Sequence, residues 1–120
     1  YVMKKDKDIS EVCKKTINGY LNHMELSLSF QYPKRFYFGV PAPTIKEESQ
    51  DELDKKRIEL IKIYNLILKK EVLSRGAYFL DVYDLTSNLN GENNNKYMCD
   101  KIHLSPKCLS ILFENHLHKP

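Results

Sequence analysis

Two short apolar segments, separated by a long amphipathic one, constrain the fold of this chain most. Residues 35–40 (R-F-Y-F-G-V) and 77–83 (A-Y-F-L-D-V-Y) are rich in aromatic and β-branched side chains, which predicts two strands. Between them, a capping box from Ser49 to Glu52 opens a predicted helix, and Gly76 is its predicted C-terminal residue. Because the order is strand, helix, strand, the sequence predicts a parallel pair joined by a crossover helix.

Helical periodicity flanks this unit on both sides. A capping box from Asp8 to Glu11 predicts a first helix over residues 9–28, and Ser105 followed by Pro106 predicts the start of the last helix. The apolar residues predicted to face the core on the three helices are Ile9, Val12, Cys13, Ile17, Tyr20, Met24 and Leu28, then Leu53, Leu60, Ile61, Tyr64, Ile67, Leu68 and Val72, then Leu109, Leu112, Phe113 and Leu117.

These elements predict a single α/β domain over the 120 residues. Two parallel strands do not complete a sheet, because parallel strands normally have neighbours and helices cover both faces of the sheet. We therefore expect strand 35–40 to pair with a segment outside this sequence, or the protein to self-associate through that edge. Residues 88–95 are rich in Asn and Gly and are predicted as a solvent-facing loop.

Composition excludes several classes of function. The net charge is +3 with both signs interspersed, which does not predict a nucleic-acid partner, and no apolar stretch approaches the length of a transmembrane helix. The three cysteines, Cys13, Cys99 and Cys108, are too few and too irregular for a disulfide framework, so reduced thiols and a cytoplasmic location are favoured. The His and Cys spacings match no zinc pattern, so no metal or other cofactor is predicted.

The strongest candidate for chemistry is a carboxylate three residues before an imidazole. Asp100 and His103 follow the last predicted strand and precede the last helix, close to the carboxyl ends of the strands where α/β proteins bind ligands. In a tight turn, Asp100 can accept a hydrogen bond from one ring nitrogen of His103 and leave the other nitrogen to take a proton. Two alternatives stay open: Asp100 caps a turn beside a surface histidine, or His103 activates Cys99 or Cys108.

The string D-K-I-H-L-S at residues 100–105 resembles the C-terminal signature of the SGNH (GDSL-like) hydrolases, and residues 36–44 resemble their penultimate strand and its loop. The resemblance covers about the second half of the chain. It implies a flavodoxin-like three-layer α/β/α sandwich, present here as a partial one with two parallel strands and three helices. It also implies hydrolysis of acyl or acetyl esters of lipids or carbohydrates by a Ser-His-Asp triad, in which His103 is the general base and Asp100 its orienting acid.

The sequence departs from the family where the nucleophile is concerned. It contains no Gly-Asp-Ser motif, and Asn18 with Gly19 falls inside a predicted helix, where it does not suit an oxyanion hole. We therefore expect this chain to be the C-terminal part of a larger hydrolase domain and to be inactive alone. The alternative is a non-catalytic α/β module that binds a partner, or a second copy, through its open sheet edge.

Overall fold

A three-stranded sheet with a central strand organises the chain. The computed structural model describes residues 6–28, 34–44, 52–99 and 103–120. In chain order the elements are α1 (Asp6–Leu28), β1 (Phe36–Phe38), α2 (Glu52–Ser74), β2 (Tyr78–Leu80), α3 (Val82–Thr86), a 3₁₀ turn (Pro106–Cys108), α4 (Leu109–Asn115) and β3 (Leu117–His118). Strand β2 lies between β1 and β3, and the protein is mixed α/β.

The predicted parallel pair is confirmed. Strands β1 and β2 run parallel, with Phe36 opposite Tyr78 and Phe38 opposite Leu80, and α2 connects them. Gly76 has a φ of +76°, a conformation that glycine adopts without strain, and the chain turns there from α2 into β2. Both strands are shorter than predicted.

The core on one face of the sheet is built by α1 and α2. Phe79 of β2 is 1% exposed and packs with residues of both helices, among them Ile17, Leu21 and Val72, which are fully buried. The two helices run in the same direction, because Arg75, just after α2, reaches the C-terminal half of α1. Its guanidinium contacts Asn18, Asn22 and Glu25 at 2.8–3.2 Å.

A second core lies around Leu80 and the segments that follow β2. Leu80, Val82 and Leu112 are fully buried and pack with Leu85 and Cys108. Helix α4 also contacts β1, since the Phe113 ring lies 5.5 Å from the Phe36 ring in an edge arrangement. None of the helices in the described ranges has the length and apolar character that crossing a membrane requires.

The C-terminal segment corrects one prediction. Leu117, predicted on the apolar face of the last helix, instead belongs to β3, which pairs antiparallel with β2. Helix α4 ends at Asn115, and the His116 carbonyl accepts a hydrogen bond from the Asp81 N–H at 2.9 Å. The sheet therefore has three strands and the described chain has four α-helices, not two strands and three helices.

Other boundaries differ from the sequence analysis. Helix α1 begins at Asp6, so Asp8 lies inside the helix and does not cap it. Leu53, predicted on the buried face of α2, is 66% exposed. Helix α2 begins at Glu52, and Ser49, its predicted cap, lies outside the described residues.

Candidate functional site

The carboxyl ends of β1 and β2 meet at one edge of the sheet because the strands are parallel. Two segments occupy this edge: residues 39–44 after β1, and α3 after β2. Helix α3 begins there because the Asp81 carboxylate accepts a hydrogen bond from the Asp84 N–H at 3.0 Å, which caps the helix. In open α/β sheets this edge is where ligands bind.

Three side chains fix the segment after β1 in place. The Asn65 amide bonds to both the N–H and the C=O of Val40, at 2.7 and 3.0 Å. The Thr86 hydroxyl accepts from the Ala42 N–H at 2.9 Å, and the Asn93 amide donates to the Ala42 C=O at 2.9 Å. Since all three side chains are buried, the rim of the candidate site is held by hydrogen bonds shielded from water.

Replacing Asn65 with alanine is expected to lower the free energy of unfolding by about 1–3 kcal/mol, because two partly buried backbone groups of Val40 lose their partner. Chemical denaturation of both proteins measures this difference. Asn115→Ala is the matched control, since Asn115 is exposed at the end of α4. An Asn65→Ala protein as stable as the control variant would contradict the role assigned to the amide.

The Asn-rich loop is only partly as predicted. Its one regular feature is a single antiparallel bridge between Ser87 and Asn93. However, Gly91 and Asn93 are buried, and the Tyr83 hydroxyl donates to the Gly91 C=O at 2.9 Å, so the loop is not simply solvent-facing. The Asn88 side chain accepts two backbone N–H groups within the loop, which replaces the ladder bonds of regular structure.

His103 lies where two short extended segments meet. Met98 and Leu104 form an antiparallel bridge, and the Cys99 N–H donates to the His103 C=O at 2.9 Å. The imidazole is on an exposed residue. Asp100 lies outside the described residues, so the hydrogen bond between Asp100 and His103 stays a prediction.

The start of the last helical segment is confirmed. The Ser105 hydroxyl accepts from the Lys107 N–H at 3.4 Å, and Pro106 occupies the first position of the 3₁₀ turn. The Ser105 N–H also donates to the Tyr97 C=O at 2.7 Å. The backbone on the C-terminal side of His103 is therefore fixed by a cap and by a bond to a neighbouring segment.

A second carboxylate–imidazole pair escaped the sequence analysis. His116 Nδ1 lies 3.0 Å from the Asp84 carboxylate, and His118 Nε2 lies 3.8 Å from that of Asp81. Both pairs connect the region after β2 with the region around β3. Because 32 residues separate Asp84 from His116 and β3 was not predicted, no pattern in the sequence indicated the contact. Asp84 is 69% exposed, so solvent screens the pair and its contribution to stability is small.

The cysteine thiols differ in their surroundings. Burial raises the pKa of the Cys13 and Cys108 thiols, which disfavours the thiolate that nucleophilic catalysis needs. Cys99 is exposed, and its Sγ lies 3.4 Å from the His103 carbonyl oxygen. Among the described residues, no three His, Cys, Asp or Glu side chains converge as metal ligands would.

Comparisons with known proteins found no family model, no curated protein and no solved structure that matches this chain.

Proposed function

We propose that this chain is the C-terminal part of an SGNH-type ester hydrolase domain, with a flavodoxin-like three-layer architecture. The observation that carries the proposal is the D-K-I-H-L-S string at residues 100–105, placed after a parallel β-α-β unit and before a capped helical start. The packing of α1 and α2 on one face of the sheet, and of α4 against Phe36 and Leu80, supports the layered architecture.

In the proposed mechanism, His103 is the general base and Asp100 orients it. Asp100 accepts a hydrogen bond from one ring nitrogen and fixes the tautomer. The other nitrogen takes the proton of a serine hydroxyl as the serine attacks the ester carbonyl. The imidazolium then returns that proton to the leaving alcohol, which leaves an acyl-enzyme for water to hydrolyse. The serine is supplied by a segment that these 120 residues do not include.

The outer edge of β1 is the proposed contact for that segment. The Arg35 C=O and the Gly39 N–H bond to β2, so by alternation the backbone groups of Phe36 and Phe38 face the other edge. Within the described ranges, no strand pairs with that edge. A groove of about 340 Å³ follows it, lined by residues 34–38 and by Tyr20 and Met24 of α1. A groove along an unpaired strand suits an added strand.

Two measurements test this proposal. The protein, purified at the length that its gene encodes, is expected to hydrolyse p-nitrophenyl butyrate and to be labelled by a fluorophosphonate probe, which reacts with activated serines. The chain of residues 1–120 is expected to do neither, because it lacks the nucleophile. Absence of both activities in the full-length protein would reject the hydrolase, and activity in the isolated chain would reject a nucleophile supplied from elsewhere.

A second candidate function is a module that self-associates through β1. The observation that favours it is the exposure of two aromatic side chains on this edge strand, 40% for Phe36 and 46% for Phe38. Under this alternative the chain sediments as a dimer, and Phe38→Lys converts the dimer to a monomer because it places charges on the pairing edge. Leu89→Lys, at a fully exposed loop position, should leave the dimer intact. A wild-type chain that is monomeric at every concentration would contradict the alternative.

A further inference from the structure

An apolar cavity of about 290 Å³ lies between α1 and α2, at the carboxyl end of β1. Its walls include Val12 and Cys13 of α1, Leu60, Ile61 and Tyr64 of α2, and Val40 from the segment after β1. Val40 is also the residue that the Asn65 amide fixes through its backbone. The cavity therefore lies at the sheet edge where α/β proteins bind ligands, beside a backbone segment that is held in place.

The chemistry of the cavity walls favours an uncharged, apolar occupant. None of the lining residues carries a charge at neutral pH. Cys13, at 4% exposure, is the most buried of them, and burial raises the pKa of its thiol, so the thiol stays neutral. Burial likewise raises the pKa of the Tyr64 hydroxyl. A charged group entering this cavity would lose its hydration without gaining a partner.

The size of the cavity distinguishes a small ligand from a macromolecule. Seven residues line it, whereas a stable protein interface uses roughly 20–30 residues on each side. An apolar cavity of about 150 Å³ is known to accept benzene. A cavity of 290 Å³ therefore has room for a chain of roughly eight to twelve carbons.

We propose that this cavity binds the aliphatic chain of a medium-length fatty acyl group. This binding site goes beyond the proposed hydrolase, because it can be occupied whether or not the protein cleaves esters. Where the inference rests on the proposed function, it names the substrate class: a medium-chain acyl ester rather than an acetyl ester.

Isothermal titration calorimetry of the 120-residue chain with sodium decanoate, below its micelle concentration, tests the proposal. Saturable one-site binding is expected, with a negative heat-capacity change because apolar surface is buried. Butyrate, which is six methylenes shorter, is expected to bind at least about a hundredfold more weakly. Shifts of the Val12 and Val40 methyl signals in NMR spectra would locate the ligand.

Filling the cavity provides the decisive comparison. Val12→Phe and Thr16→Phe each place a ring into the cavity from exposed positions of α1, so neither disturbs the buried core. Each is expected to weaken decanoate binding about tenfold or more. Leu26→Phe, at a position of α1 that is 84% exposed and outside the cavity, is expected to leave binding unchanged.

Two results would overturn the acyl site. One is the absence of saturable decanoate binding to the wild-type chain, and the other is equal affinity of the wild type and both cavity-filling variants. Because none of these measurements involves hydrolysis, a failure here is distinct from a failure of the proposed hydrolase.

Discussion

Replacing His103 by alanine, in the protein at the length that its gene encodes, is expected to lower kcat for ester hydrolysis roughly 10⁴-fold. Without the imidazole, the serine keeps its proton at neutral pH and attacks the carbonyl poorly, and the leaving alcohol loses its proton donor. KM is expected to change little, because His103 acts on the reacting atoms rather than on substrate binding. Steady-state hydrolysis of p-nitrophenyl butyrate measures both constants.

The chain offers a matched control for this substitution. His23 is exposed on α1 and has no assigned role, so His23→Ala makes the same chemical change without affecting hydrolysis. Asp100→Asn keeps the size of the side chain but removes the carboxylate that fixes the tautomer, and it is expected to lose about as much activity as the alanine variant. Full activity in His103→Ala would remove this residue from the mechanism. A loss on replacing His116 instead would assign the base to the pair of His116 with Asp84.

Replacing Phe79 by alanine is expected to lower the free energy of unfolding by about 3–5 kcal/mol. Phe79 is 1% exposed at the centre of the sheet, where it packs with α1 and α2, so the substitution leaves a cavity that the surroundings fill only in part. Since small domains are stable by only about 5–15 kcal/mol, this single change removes a large share of the total.

Denaturant titration, followed by far-ultraviolet circular dichroism, measures the effect of Phe79→Ala. Phe38→Ala is the matched control, because Phe38 lies on the neighbouring strand and is 46% exposed. We expect the control to cost well under half as much. Equal losses in the two variants would show that the core described for α1, α2 and β2 is not the one that stabilises the chain.

The sequence analysis identified the parallel unit because its signals are local. Residues 35–40 and 77–83 have strand composition, and Gly76 marks the turn between the helix and the second strand. The strand ends could not be predicted, since they depend on distant partners. Strand β2 stops where Asp81 caps α3 and bonds to the His116 carbonyl, a residue 35 positions away. The short β3 has too few residues for a periodic pattern.

The candidate site divides in the same way. Asp100 and His103 are three residues apart, so a motif could suggest them as a pair. Asn65 and Asn93 hold the segment after β1 from 25 and 51 positions away, and nothing in their neighbours marks them as contacts. An Asn in a helix and an Asn in a polar loop are ordinary residues until the fold shows which backbone atoms they reach.

The grip on the segment after β1 leaves room for changes in selectivity. Asn65, Thr86 and Asn93 hold main-chain atoms of Val40 and Ala42, so these bonds do not depend on which side chain residue 40 carries. The Val40 side chain, by contrast, borders the acyl cavity. Evolution or design can therefore enlarge or narrow that cavity at position 40, and so change the preferred chain length, while the anchoring amides and hydroxyl keep the loop where it is.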